Sequence, residues 1–235
     1  MDCLSARGRW TDSRGTRREK PRARAAVPMN PSGFFSQETN RYYKLLPTPT
    51  WPTIEISGIR MHRVESMDPK SDTERKIAQV APVQGKALDI CTGLGYTAIL
   101  LAREADSVTT IERDANVLAL ARENLPSKEL FSSPKIKQLM GDAQEVVKSL
   151  PDAHFDIIIH DPPSLNIAGD LYASSFYQEL FRLLKPGGRM FHYTGMPGRS
   201  RGVDLIASVA KRLKLIGFDA QPVREALGVK ATKHQ

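Results

Sequence analysis

The residues best suited to chemistry lie at five places, each directly after a run of apolar residues. His160-Asp161-Pro162-Pro163-Ser164 follows Phe155-Asp156-Ile157-Ile158-Ile159. Two consecutive prolines fix φ and remove N–H donors, which leaves the Asp161 carboxylate and the local carbonyls as a rigid row of acceptors. Such a row suits an amino or other proton-bearing nucleophile, although Pro-Pro also simply ends a buried strand. In Asp89-Ile90-Cys91-Thr92-Gly93-Leu94-Gly95 the glycines allow a tight turn and close backbone approach, and the helix that follows presents free N–H groups. Gly93, Gly95 and Ala98 also satisfy the GxGxxA dinucleotide fingerprint, so this loop alone does not select a ligand. Glu112, nineteen residues after Gly93, can accept both hydroxyls of a ribose or pair with Arg113. Gly141-Asp142-Ala143 offers a carboxylate and an N–H to the edge of an adenine, and Asp142 is equally a good helix cap. The fifth stretch, Leu184-Lys185-Pro186-Gly187-Gly188, is a helix stop and a turn. His192 and Tyr193 end the strand after it, where His is a plausible base at neutral pH and a core His beside a half-buried Tyr is the plainer reading.

These stretches converge only if the strands before them run parallel. From about residue 71 short apolar runs alternate with helical periods: a helix near 71–81 capped by Ser71 or Asp72, a strand at 87–90, and a helix carrying Ala98, Leu101, Ala102 and Ala105. A strand at 107–112, a helix from Asp114 to about Asn124, a strand near 135–140 and a short helix at 143–150 follow. The series closes with a strand at 155–160, a helix from Asp170 to Lys185, a strand at 189–193, a helix from about 202 to 216 stopped by Gly217, and strands near 218–224 and 226–232. Continuous apolar strands imply a mostly parallel sheet covered on both faces, with its binding crevice beyond the strands' carboxyl ends. The last two strands are too close for a helical crossover and should pair antiparallel. In front, residues 53–56 and 59–64 flank Ser57-Gly58 and read as a hairpin.

The 235 residues suffice for one α/β domain with extensions: a tail at 1–28, a hairpin-bearing region at 29–70 and the main domain at 71–235. The net charge of +8 suggests a polyanionic partner such as RNA, but seven Arg and one Lys against Asp2, Asp12 and Glu19 put +5 of it in the tail. That leaves +3 for the rest. The tail has no apolar period and reads as disordered, either an extension ahead of a true start at Met29, an organelle leader or a nucleic-acid arm. Around the crevice, RNA contact would fall to Arg41, Lys44, Arg60, Arg199 and Arg201, with Phe34, Phe35, Tyr42, Tyr43 and Trp51 as a lid, a base-stacking surface or simple docking groups. Only Cys3 and Cys91 are cysteines, so no disulfide framework or CxxC metal site can form, and the five histidines lack zinc-site spacing. No stretch approaches the roughly 18 apolar residues of a membrane span, and no secretory signal is present, so a reducing cytoplasmic setting is expected.

Taken in order, AspIleCysThrGlyLeuGly, IleGluArgAsp, GlyAspAla, AspProPro and LeuLysProGlyGly resemble the class I S-adenosylmethionine-dependent methyltransferases over roughly residues 71–232. In finer detail AspIleCysThrGlyLeuGlyTyrThrAla, HisAspProPro and PheHisTyrThrGly look like an uncharacterised archaeal-type methyltransferase group, itself similar to spermidine synthases. The resemblance implies a doubly wound, mostly parallel seven-stranded Rossmann-like sheet with a small N-terminal hairpin, and S-adenosyl-L-methionine as cofactor. It implies that Asp89, Cys91, Thr92, Gly93 and Gly95 hold the methionine part, Glu112 and Arg113 the ribose side, and Asp142 and Ala143 the adenine. Asp161 and Pro162 would face the methyl group and the acceptor, with His192 and Tyr193 beside them. Two departures stand out: Cys91 replaces the commonest third glycine, and Ser164 replaces the aromatic that base-methylating enzymes carry after AspProPro. The acceptor stays open among RNA, a protein side chain and a small amine. Aminopropyl transfer, a non-catalytic RNA-binding role and pyridine-nucleotide chemistry are the competing readings.

Overall fold

The computed structural model describes residues 33–195 and 204–234. The tail at 1–28 and the arginines at 199 and 201 lie outside the described residues. The chain opens with an antiparallel sheet of four strands, β1 (Gly33–Ser36), β2 (Arg41–Leu46), β3 (Thr53–Ile56) and β4 (Ile59–Arg60), in the order β1-β2-β3-β4. The hairpin expected around Ser57-Gly58 is its second half, though β4 stops at Arg60. The strands at 33–36 and 41–46 were not anticipated, because Phe34-Phe35 and Tyr42-Tyr43 put aromatics at successive positions and hide the alternation that marks a strand.

The main sheet has seven strands: β5 (Lys86–Ile90), β6 (Ser107–Glu112), β7 (Ile136–Met140), β8 (Phe155–His160), β9 (Leu184–Tyr193), β10 (Phe218–Val223) and β11 (Gly228–Lys233). Their order is β10-β11-β9-β8-β5-β6-β7, with β10 and β11 antiparallel to each other, β11 antiparallel to β9, and the rest parallel. The chain leaves β5 in one direction for β6 and returns on its other side as β8, which creates the switch point where such sheets bind ligands. Ile157, Ile158 and Ile159 of β8 are each fully buried because both faces are covered. Ile157 and Ile159 join one core with Leu101 and Val108, while Ile158 joins the other with Phe176, Leu180 and Leu213. The period-2 alternation of a strand thus divides one isoleucine run between two cores.

Helices α1 (Pro69–Ala78), α2 (Tyr96–Glu104), α3 (Ala115–Glu123), α4 (Lys128–Ser132), α5 (Ala143–Val146), α6 (Ser174–Leu183) and α7 (Leu205–Ile216) cover the sheet. α1 is capped by Asp68, which accepts from the Ser71 backbone N–H at 3.1 Å, so Asp72, expected as a cap, is free to turn inward. The helix expected over 170–185 is divided at extended Ala173 into a 3-10 turn (Gly169–Tyr172) and α6. The break lets the Tyr172 hydroxyl donate to the Pro163 carbonyl at 3.1 Å. Leu184–Gly188, expected as a turn, runs as the first half of the ten-residue β9, with a register shift opposite Phe155–Ile157. Further on β8 and β9 are in step, and His160 pairs with His192.

Gly95 caps α2 with φ of 77°, and a Cβ there would lie 2.6 Å from a methyl group of the buried Leu130. Gly95→Ala should therefore lower stability by about 2–3 kcal/mol, through left-handed strain and overlap together. Urea unfolding of the two proteins measures this, and equal midpoints would show that Leu130 yields freely.

Candidate active site

A cavity of about 940 Å³ opens at the carboxyl ends of β5, β6, β7, β8 and β9, roofed by β3 and β4. On its floor the chain leaves β5 through Cys91 at φ 74°, Gly93 at 55° and Gly95 at 77°. Both Cys91 and Thr92 donate backbone N–H bonds to the Ile111 carbonyl, at 3.1 and 3.0 Å, which ties the turn to β6. Cys91 lines the cavity, and burial pushes its thiol well up, so it is an inert thiol rather than a thiolate.

Glu112 holds the turn from the other side. One carboxylate oxygen accepts the Gly93 N–H at 2.9 Å, and the other accepts those of Arg113 and Asp114 at 3.0 Å each. Three of its roughly four acceptor sites are thereby used, which leaves one strong site on the cavity wall rather than the two that a pair of ribose hydroxyls would fill. Burial raises its pKa despite these three donors. Asp142 caps α5, accepting from the Gln144 N–H at 2.9 Å, and still lines the cavity with Ala143 and Arg113.

Asp89 does not reach the cavity. It is fully buried beneath the turn, where Thr97 and Thr110 each donate a hydroxyl hydrogen bond to it at 2.7 Å. Burial outweighs those two bonds and pushes its pKa up to about 7. Its carboxyl is spent inside the protein, so Asp89 shapes the loop from below. Gly95 is likewise absent from the wall and acts through its contact with Leu130.

At the other end Asp161, Pro162 and Tyr193 line the cavity. The Lys76 ammonium, from α1, donates to Asp161 at 2.7 Å and lies 3.2 Å from Asp72 and 3.9 Å from the Tyr193 ring centroid. Arg63 completes the row, 3.3 Å from the other Asp72 oxygen. Lys76 is 4% exposed; burial alone would lower its pKa, but the charges of Asp161 and Asp72 reverse this and raise it. Sequence reasoning missed Lys76, Asp72 and Arg63. The i,i+4 spacing of Asp72 and Lys76 was visible, but only the docking of α1 on the end of β9 separates it from a surface pair.

His192 is a correction. It is fully buried and absent from the cavity wall, its Nδ1 3.3 Å from the His160 carbonyl and its Nε2 2.9 Å from the Tyr177 hydroxyl. Neighbouring strand residues face opposite sides, so Tyr193 at the cavity sends His192 into the core, where burial keeps its pKa well below 6.5. Of the three readings of the aromatics, docking holds for Phe34, Tyr43 and Trp51, and none of the five lines the cavity. Tyr43 donates to Asp114 at 2.7 Å, Phe34 stacks on Tyr43, Trp51 packs on Tyr96, and Phe35 and Tyr42 face outward. The roof is instead aliphatic, from Ile54, Ile56, Ile59 and Met61, with Arg41 and Arg60 at the cavity and Lys44 outside it.

The model of the methyltransferase domain matches residues 87–188. An uncharacterized protein of Methanocaldococcus jannaschii, MJ1233, is 53% identical over 197 residues, which is 83% of this chain and 68% of that protein. The chain belongs to the MJ1233 family. It is an enzyme of the methyltransferase type, and it is similar to named transferases over shorter stretches. A protein-L-isoaspartate O-methyltransferase of Koribacter versatilis is 38% identical over 120 residues, 51% of this chain and 47% of that protein, so the chain spans about half the length of this relative. A spermidine synthase solved with the transition-state analogue AdoDATO superposes with a TM-score of 0.67 at 18% identity, covering 86% of this chain and 72% of that one. The MJ1233-family fold is therefore that of the methyltransferases and spermidine synthases. Among the described residues no helix is long and apolar enough to cross a membrane.

Proposed function

We propose that this protein is an S-adenosyl-L-methionine-dependent methyltransferase, with residues 71–235 as the transferase domain working in the cytoplasm. The observation that carries the reading is one cavity holding the Gly93 turn clamped by Glu112 at one end and the Asp161 carboxylate at the other. The cofactor suits this wall: a Cβ at Gly93 would meet nothing within 4 Å, so the backbone there is open to a ligand. The N–H groups of Cys91, Thr92 and Gly93 are spent on Ile111 and Glu112, so the carbonyls of Cys91 and Gly93 would hold the amino group of the amino-acid part, Glu112 a ribose hydroxyl, and Asp142 with the Ala143 N–H the adenine edge.

When bound, the cofactor supplies a methyl group on a sulfonium centre that already carries charge and leaving group. The protein's work is then alignment, which allows about 7–11 kcal/mol of the barrier to be removed by positioning. Asp161 orients the acceptor and takes its proton, and Pro162-Pro163 keep competing N–H donors away from that carboxylate. Aminopropyl transfer, raised by the spermidine synthase likeness, needs free carboxylates for a polycation. Asp161 is paired here and Asp170 is exposed.

Two experiments test the reading. Radiolabelled cofactor incubated with fractionated RNA, protein and metabolites should label one fraction; no label in any would count against it. Calorimetry with S-adenosylhomocysteine should give binding that Glu112→Ala weakens ten- to hundredfold, the worth of one charge-assisted hydrogen bond. Undiminished affinity would remove Glu112 from the site.

A further inference from the structure

Resting on the methyl-transfer reading, we infer that Lys76 is a specificity residue which closes the acceptor end of the cavity to cationic amines, so that the group methylated is uncharged. Arg63, Asp72, Lys76 and Asp161 form a row of two positive and two negative charges, linked at 3.3, 3.2 and 2.7 Å. Its centre is closed to solvent, with Asp72 3% and Lys76 4% exposed. The ammonium has its three neighbours in Asp161, Asp72 and the Tyr193 ring, so it is held in place rather than reaching into the cavity.

A protonated amine entering beside Asp161 meets a carboxylate already matched by a buried cation. It would bring a third positive charge against two negative ones, where an unmatched buried charge is costly. Among the described residues at this end, no further buried carboxylate offsets that. Asp170 also lines the cavity but is exposed, and an exposed pair contributes little, while Arg60 adds positive charge at the rim. An uncharged N–H or O–H group meets no such penalty. One Asp161 oxygen accepts from Lys76, and the other accepts no hydrogen bond from the described residues and stays available to a neutral donor.

The test is calorimetric titration of spermidine and putrescine into wild-type protein and the Lys76→Met and Lys76→Gln variants, each with and without S-adenosylhomocysteine. Wild type should bind neither amine measurably at millimolar concentration. Either variant leaves the row with one uncompensated negative charge and should bind spermidine at least about tenfold more tightly than wild type. Micromolar binding of either amine by wild type overturns the inference, as do variants that bind S-adenosylhomocysteine normally yet gain no amine affinity. If both variants fail to fold, the wild-type titration decides alone. Loss of S-adenosylhomocysteine binding in wild type would sink the cofactor reading instead, while the titration without it still reports on the amines.

Discussion

Replacing Asp161 with asparagine should lower methyl transfer about a thousandfold, in the middle of the range for a positioned acid or base, while leaving S-adenosylhomocysteine affinity unchanged. Asparagine keeps the shape of the side chain and one carbonyl acceptor, so the Asp161 backbone N–H can still donate to the Ile90 carbonyl, now at 3.2 Å, and the strand end stays in place. What disappears is the group that takes the acceptor's proton and one of the two charges facing Lys76, which keeps Asp72 at 3.2 Å. The Glu112 clamp and the Asp142 cap stand at the other end of the cavity and do not depend on it. The comparison uses the fraction that wild type labels: turnover within tenfold of wild type would show that Asp161 only packs, and lost S-adenosylhomocysteine binding would make its role structural.

Stability should fall between pH 6.5 and pH 4, and Asp89→Asn should make the fall steeper. His160 and His192 are fully buried, and burial lowers the first to about 4 and the second well below 6.5. The unfolded chain therefore binds two protons in this window that the folded chain refuses, which favours unfolding as pH drops. Asp89 acts the other way. Its folded pKa of about 7 lies above the 3.8 of an ordinary aspartate, so across the same window the folded state holds a proton that the unfolded state has lost. Two protons against one leave stability falling with pH, and removing Asp89's titration should steepen that fall. His62, lowered to about 3, and Glu112, raised by burial, lie at the cavity and oppose each other. Urea midpoints at pH 4, 5, 6 and 7 for both proteins measure this. A flat wild-type profile, or an Asp89→Asn profile no steeper, would refute it.

The main sheet was legible in the sequence because its strands are short apolar runs, and the five stretches after them mark where the chain turns over the crevice. Cys91, Gly93, Glu112, Asp142 and Asp161 line one cavity as the motif order implied. The misses have a common cause. Asp89 and His192 have the right chemistry at the right ends of strands, but which face a side chain takes, and whether a neighbour such as Thr110 or Tyr177 has already engaged it, is settled by packing. Lys76 is the converse, unremarkable on a helix and consequential only where α1 meets β9. The α4 turn was missed because five residues behind Pro126 leave too little period to read.

The pairing of His160 with His192 sets Asp161 and Tyr193 side by side, one step beyond the same rung of the sheet. The site is in that sense counted out along β8 and β9 rather than shaped by the segments around it. Residues added at 164–170 would change the stretch of wall this segment gives the cavity and leave the count along β8 and β9 as it is. One residue added inside β9, after its register shift, would exchange its faces, burying Tyr193 and turning His192 toward the cavity, and one added inside β8 would do the same to Asp161 and His160. Descendants of this enzyme are thus free to vary in loop length, and with it in what they admit, but are held to a fixed count of residues in two strands.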